Sequence, residues 1–151
     1  MIDVRVQATD FDPGTELAAL ERLGGGGVAS FTGLVRGDGG LAAMTLEHYP
    51  GMTEAQLRGI ADTAWSRWPL AGVVLIHRFG RLVPGDRIVF VATASAHRAA
   101  ALESCAFLID WLKTDAPFWK REEWADGSGR WVEARAADDA ARARWQDDQR
   151  Q

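Results

Sequence analysis

Two lysines lie on either side of a proline corner in the last third of the chain. Lys113 closes an apolar pattern of helical period, and Lys120 follows Pro117 at the start of an alternating, strand-like stretch. Because proline ends a helix, a sharp corner there can bring both ammonium groups to one point, where they would bind an anion. A structural explanation also exists, since the helix dipole favours lysine in a last turn and lysine protects an exposed strand edge. The local pattern alone favours this structural explanation.

Further cationic residues are predicted at the ends of elements, where binding groups are usually presented. Arg36 ends a strand before the loop Gly37–Gly40, and His97 and Arg98 stand where a strand passes into a helix. Cations at a helix start oppose the helix dipole, whereas the free backbone N–H groups there bind phosphate. The alternative is that these side chains simply lie in solvent. The pair at the helix start tilts the interpretation towards an anion site.

Lysine and arginine have complementary roles in such a pocket. Arginine offers a planar fork for carboxylate or phosphate. A lysine crowded by other cations can lose its proton and then act as a base, an acid or a nucleophile. The pattern therefore indicates a reaction on a phosphorylated or carboxylated small molecule, without specifying which reaction.

Composition argues against several other classes of protein. The chain has 151 residues, a net charge of -4 and an isoelectric point of about 5.3, unlike a protein that binds a nucleic-acid backbone. No apolar run approaches the roughly 20 residues that span a bilayer, and Met1 leads into strand-like alternation rather than a signal peptide. The single cysteine, Cys105, cannot form an intrachain disulfide and is expected to be a packed thiol. These features predict a cytoplasmic protein with one domain over residues 1–151, without nucleic-acid or membrane partners.

Neither a metal nor a cofactor is predicted. The three histidines and Cys105 are scattered, without the spacing of a metal site. His48 and His77 lie on apolar strand faces, which is typical of core or interface histidines. The run Gly24–Gly27 lacks the lysine and hydroxyl residue of a phosphate-binding loop, so we expect a flexible connector.

Periodicity predicts an α+β fold, in which helices cover one side of a largely antiparallel sheet. Asp12 is the expected N-cap of a short first helix, and Thr53 with Gln56 has the spacing of a capping box for a longer one. The second long helix is expected over about residues 96–114, and residues 136 onward as a polar helix or tail. The predicted strands are 2–8, 28–35, 44–49, 73–79, 87–95, 118–124 and 130–135.

Seven blocks of sequence occur in the order of one family. They are Phe31–Arg36, Leu46–Met52, Pro84–Asp86, Ser95–Arg98, Leu112–Thr114, Ala116–Glu122 and Trp131–Glu133. Through them the chain closely resembles the large subunit of molybdopterin synthase, the MoaE family, from the first strand to Arg135. The blocks Leu-Glu-His-Tyr-Pro-Gly-Met and Ala-Pro-Phe-Trp-Lys-Arg-Glu are specific to it.

This resemblance implies a fold, a reaction and partners. The family has an α/β hammerhead-type α+β fold with an antiparallel sheet, two long helices and an added β subdomain. It converts cyclic pyranopterin monophosphate (precursor Z) into molybdopterin by inserting two sulfurs, which form the dithiolene that later holds molybdenum. The sulfur comes from a small ubiquitin-like subunit of the MoaD type, whose C-terminal Gly-Gly end carries a thiocarboxylate. Two large subunits form a central dimer with one small subunit at each end, giving a heterotetramer.

The resemblance also assigns site residues. Lys113 and Lys120 match the family's two pocket lysines and are expected to be catalytic. The family's pocket lies near the dimer interface, so the other subunit can supply part of it. The positions that match substrate-binding residues are Arg36, His97, Arg98, Lys113, Lys120, Arg121, Glu122 and Arg135.

Two other functions stay open at this point. One is a non-catalytic module that binds the tail of a ubiquitin-like partner. Such a module would need a groove but no phosphate site, so the presence of both lysines with His97 and Arg98 argues against it. The other is a different anion-handling enzyme on the same scaffold.

Overall fold

The computed structural model describes residues 1–132 and Trp145, which form two four-stranded sheets with three α-helices among the described residues. The α+β prediction is confirmed. A single 3-10 turn spans Asp38–Gly40. In chain order the elements are β1 (Ile2–Gln7), α1 (Pro13–Glu21), β2 (Gly27–Leu34), β3 (Leu41–His48), α2 (Met52–Arg67), β4 (Leu70–Arg78), β5 (Gly80–Leu82), β6 (Arg87–Ser95), α3 (Arg98–Thr114), β7 (Phe118–Trp124) and β8 (Gly129–Trp131).

The first sheet has the strand order β1-β4-β6-β2 and is covered by helices on both faces, so the prediction that helices cover one side only is wrong. Val73 and Leu75 of β4 pack towards α2 and α3, whereas Val74 and Ile76 pack with Leu20 of α1 on the other side. Double coverage explains why β4 is a continuous apolar run and does not alternate. The β4–β6 and β2–β6 pairs are antiparallel as expected. In contrast, β1 pairs with β4 in parallel, which the long connection between these two strands allows.

The two long helices present small and apolar residues to this sheet at helical spacing. Leu57, Ala61 and Ala64 of α2 are fully buried, and Cys105 of α3 is 5% exposed in the same core. Burial raises the pKa of the Cys105 thiol to about 11, so the thiol is protonated at neutral pH. The expectation of a packed thiol is confirmed.

The second sheet is the additional β subdomain. Its strand order is β5-β3-β7-β8, and all of its pairings are antiparallel. A small core of Val35, Met44, Leu46 and Leu82 lies against it, with Phe118 packed at its edge. The strand that follows Pro117, β7, belongs to this second sheet.

The start of α2 differs from its predicted capping box. Gly51 is the N-cap, with φ at 84°, and its backbone N–H donates to the Glu54 carboxylate at 2.7 Å. Thr53 is instead fully buried, and its hydroxyl donates to the Tyr49 carbonyl at 2.9 Å. Two overlapping patterns compete here, and the left-handed turn that glycine permits decides in favour of Gly51.

The glycine run is more than a flexible connector, because it approaches the backbone that leads into α3. The N–H of Gly26 donates to the Ser95 carbonyl at 2.9 Å. A Cβ atom on Gly26 would lie 2.0 Å from the Ala96 carbonyl oxygen, and one on Gly25 would lie 2.9 Å from that of Ser95. Only glycine allows this contact, which braces the corner before His97 and Arg98.

We predict that Gly26→Ala destabilises the protein by about 1–3 kcal/mol, because the added methyl group forces the corner at Ala96 to move. Urea unfolding measures the change. Gly59→Ala is the matched control, since Gly59 is exposed within α2 and nothing lies within 4 Å of its Cβ position. The control should gain about 0.5–1 kcal/mol from helix propensity. Equal stability of Gly26→Ala and the wild type would contradict the contact.

Candidate active site

The corner between α3 and β7 places both lysines beside a buried histidine. Lys113 lies in the last turn of α3, which ends where the Asp115 N–H donates to the Trp111 carbonyl at 2.8 Å. Lys120 is the third residue of β7. Both side chains are exposed, and the charge of each lowers the pKa of His77. The two ammonium groups therefore lie in one neighbourhood, at the end of β4. We call Lys113, Lys120 and the turn between them the lysine corner.

His77 is the buried member of this neighbourhood. It is 8% exposed, and its ring stacks on Phe118 with the ring centres 3.8 Å apart and the planes 14° apart. Burial is the main cause that lowers its pKa to about 4, with Lys120, Lys113 and His48 adding to the effect. The imidazole is therefore neutral at pH 7.

The tautomer of His77 follows from its hydrogen bond. Nδ1 lies 2.8 Å from the Arg78 carbonyl oxygen, which can only accept a hydrogen bond. Nδ1 therefore carries the proton, and Nε2 carries the lone pair. The result is a neutral base with a defined orientation next to two cations.

Four aromatic rings join the two sheets at this point. We call His48, Phe79, His77 and Phe118 the aromatic bridge. The His48 ring centre lies 4.5 Å from that of Phe79 and 5.9 Å from that of Phe118. Nδ1 of His48 is buried and has no hydrogen-bond partner among the residues that the structure describes. Both histidines thus lie in a core or interface setting, as their strand positions predict.

Alternation along β7 separates the residues that follow the corner. Phe118, Lys120 and Glu122 share one face, because side chains alternate along a strand. Arg121 lies on the opposite face, where its guanidinium is 3.6 Å from the Glu123 carboxylate. Within one copy of the chain, Arg121 is therefore not grouped with Lys120.

His97 and Arg98 form an exposed cationic pair at the start of α3. His97 is the N-cap residue but gives no side-chain cap, and the first turn holds no acid. Arg98 lies fifteen positions before Lys113, which corresponds to about 22 Å along the helix axis. One copy of the chain therefore cannot bring this pair into contact with the lysine corner.

Of the two remaining predicted positions, the structure describes Arg36 but not Arg135. Arg36 follows β2 and is exposed, with Nε 3.7 Å from the Asp38 carboxylate. Its neighbour Val35 is buried in the small core against which Phe118 packs. Arg135 lies outside the described residues, as do the C-terminal part of the predicted last strand and, apart from Trp145, the predicted tail.

A cavity of about 540 Å³ lies at the far end of β7 and is distinct from the lysine corner. It is lined by loop residues together with Trp124 and Arg130, and it contains none of the predicted site residues. Its size therefore does not identify it as the site, because the paired cations and the buried base lie elsewhere.

Within residues 1–132 and Trp145, no group of three or more His, Cys, Asp or Glu side chains could hold a metal ion. No helix of that part is long and apolar enough to cross a membrane.

No local sequence pattern indicates that His77 lies beside the lysines. An apolar strand face is all that its local pattern shows. The pairing of β4 with β1 and β6 and the stack on Phe118 bring it to the corner. Strand alternation also separates Arg121 from Lys120, although the family resemblance groups both as substrate-binding residues.

Comparison with known proteins gives one consistent family. The family model described as MoaE protein matches residues 6–115. The molybdopterin synthase catalytic subunit of Pseudomonas aeruginosa is 54% identical over 149 residues, covering 95% of this chain and 99% of that protein. The protein of the same name from Escherichia coli is 54% identical over 140 residues, covering 89% of this chain and 92% of that one.

Solved structures agree with the sequence comparison. The molybdopterin biosynthesis MoaE protein from Burkholderia ambifaria matches with a TM-score of 0.82 and 52% identity, covering 96% of this chain and 98% of that one. Molybdopterin synthase from Staphylococcus aureus matches with a TM-score of 0.74 and 29% identity, covering 85% and 95%. The sequence and the fold therefore lead to one conclusion: this chain belongs to the MoaE family, that of the molybdopterin synthase catalytic subunits.

Proposed function

We propose that this chain is the catalytic subunit of a molybdopterin synthase. It is a sulfurtransferase that adds two sulfurs to cyclic pyranopterin monophosphate, giving the dithiolene of molybdopterin. The observation that carries this function is the identity of 53–54%, over nearly the whole chain, to proteins named as that subunit. The sulfur donor is the C-terminal thiocarboxylate of a small ubiquitin-like subunit of the MoaD type.

The lysine corner has the chemistry that this reaction needs. The substrate carries a phosphate and the donor tail ends in an anion, so both are attracted to ammonium groups. Lys113 lies near the thiocarboxylate, where it activates the attack or handles protons. Lys120 stabilises the charge that develops as the ring oxygen leaves. Glu122 lies on the same strand face as Lys120 and contributes to substrate binding.

The phosphate is held by Arg36, His97 and Arg98, and two copies of the chain are needed to complete the pocket. Because about 22 Å of helix separates Arg98 from Lys113, the Arg98 that serves a given lysine corner belongs to the second copy. In a two-fold dimer this happens at both lysine corners, because each copy supplies its Arg98 to the corner of the other copy. Arg121 and Arg135 complete the set of substrate-binding residues. Each small subunit binds at one end of this dimer, which gives a heterotetramer.

Two broader assignments accompany this function. The protein acts in the cytoplasm, which its similarity to biosynthetic enzymes supports. Residues 1–151 act as one domain, which the aromatic bridge between the two sheets supports.

We predict that Lys113→Ala lowers dithiolene formation by roughly 10²–10⁴-fold, the usual effect of losing a group that handles protons. The assay mixes the chain, the thiocarboxylated small subunit and precursor Z, and detects the product by mass. Binding of the small subunit should stay within about twofold, because a single exposed side chain contributes little to a large interface. A normal product yield would exclude the role of Lys113. A wild-type chain that binds the small subunit but forms no product would indicate a docking module.

We predict that inactive Lys113→Ala and Arg98→Ala chains restore activity when mixed. In a mixed dimer one pocket receives both intact residues, so random exchange should recover about a quarter of wild-type activity. Mixing Lys113→Ala with Lys120→Ala is the control, because both residues lie in one corner and a mixed dimer then has no intact pocket. Recovery in the control, or none in the first mixture, would contradict the shared pocket.

We predict that Cys105→Ala keeps the catalytic rate within about twofold, since a buried, protonated thiol is no nucleophile. The substitution should lower the free energy of unfolding by about 1 kcal/mol, a common value for a single core change. Product yield and urea unfolding measure the two effects separately. Loss of activity in a fully folded variant would place the thiol in the sulfur pathway.

A further inference from the structure

His77 is a buried base that the function proposed above leaves without a role. It lies beside both lysines and stays neutral at pH 7, because burial and the two ammonium charges lower its pKa. The groups that act on it come from three elements: Lys113 from α3, Lys120 from β7 and His48 from β3. None of these groups is a carboxylate. No acid is thus among the groups that act on His77, although Glu122 lies on the same strand face as Lys120.

The free nitrogen of His77 is fixed in type and orientation. Nδ1 donates to the Arg78 carbonyl, so Nε2 keeps its lone pair. The stack on Phe118 holds the plane of the ring. A lone pair beside two ammonium groups is a natural hydrogen-bond acceptor for one of them.

The register of β7 selects Lys120 as the donor. Phe118 stacks on His77, and Lys120 is the next residue on the same strand face, about 6.8 Å further along. The flexible four-carbon stem of lysine spans such a distance. Lys120 also perturbs His77 more strongly than Lys113 does.

We propose that His77 is a positioning residue for Lys120: its Nε2 lone pair accepts a hydrogen bond from the Lys120 ammonium group when substrate occupies the pocket. This role rests on the proposed function, because it serves the lysine that stabilises the leaving oxygen. A neutral acceptor orients the ammonium group without cancelling its charge. A carboxylate in the same place would compete with the anionic substrate.

Two substitutions separate the hydrogen bond from the packing of the ring. His77→Phe keeps a ring to stack on Phe118 and removes the acceptor, and His77→Gln keeps an acceptor near the position of Nε2. We expect His77→Phe to lower kcat about tenfold, the effect of one hydrogen bond to a charged group, with KM within about twofold. We expect His77→Gln to recover most of that loss. Loss of kcat in a folded His77→Gln equal to that in His77→Phe would overturn the proposal.

A double-substitution cycle tests whether His77 acts through Lys120. In the Lys120→Ala background, His77→Phe should cost no further rate, whereas in the Lys113→Ala background it should still cost about tenfold. An equal loss in both backgrounds would show that His77 acts independently of Lys120, and would refute the proposal.

A measurement that needs no catalysis tests the positioning role of His77 separately from the proposed function. In the complex of the dimer with precursor Z alone, NMR of ¹⁵N-labelled lysine follows exchange of the Lys120 ammonium protons with water. We expect slow exchange in the wild type and His77→Gln, and exchange about tenfold faster in His77→Phe. Unchanged exchange in His77→Phe would overturn the positioning role, even if the enzyme makes product. Failure of the wild type to bind precursor Z would instead overturn the proposed function.

Discussion

The stack of Phe118 on His77 is the contact on which the site depends. Phe118 is the first residue of β7 in the second sheet, and His77 stands near the end of β4 in the first sheet. A large aromatic contact buried between two layers determines how they meet, because few other arrangements fill the same volume. Since Lys113 precedes the corner and Lys120 follows it, this contact also sets where the two ammonium groups lie.

The same contact explains the electrostatics of the corner. Two ammonium groups near each other repel, and a third positive charge would add to that repulsion. Burial under Phe118 keeps His77 neutral, and its hydrogen bond to the Arg78 carbonyl fixes the tautomer. The corner therefore combines two ammonium groups with a neutral base. The His77 ring thus contributes both to the packing between the two sheets and to the electrostatics of the corner.

The length of α3 separates the cations at its start from Lys113 at its end. The helix carries Arg98 at its start and Lys113 at its end, so its rigidity holds them about 22 Å apart. The glycines at 25 and 26 brace the start of the helix through a backbone contact that no side chain would permit. For this reason the shared pocket proposed above requires a second copy of the chain.

The sequence by itself determined the helices and the strands other than β5, the Asp12 cap, the buried thiol at Cys105 and the positions of the cations at element ends. These depend on local periodicity and turn chemistry, which short stretches of sequence carry. Competing local patterns misassigned the cap of α2, where Gly51 replaces Thr53. Only the tertiary structure decided the parallel pairing of β1 with β4 and the place of His77 beside the lysines. Both depend on contacts between residues far apart in the chain, and no local pattern records which distant strand a given strand will join.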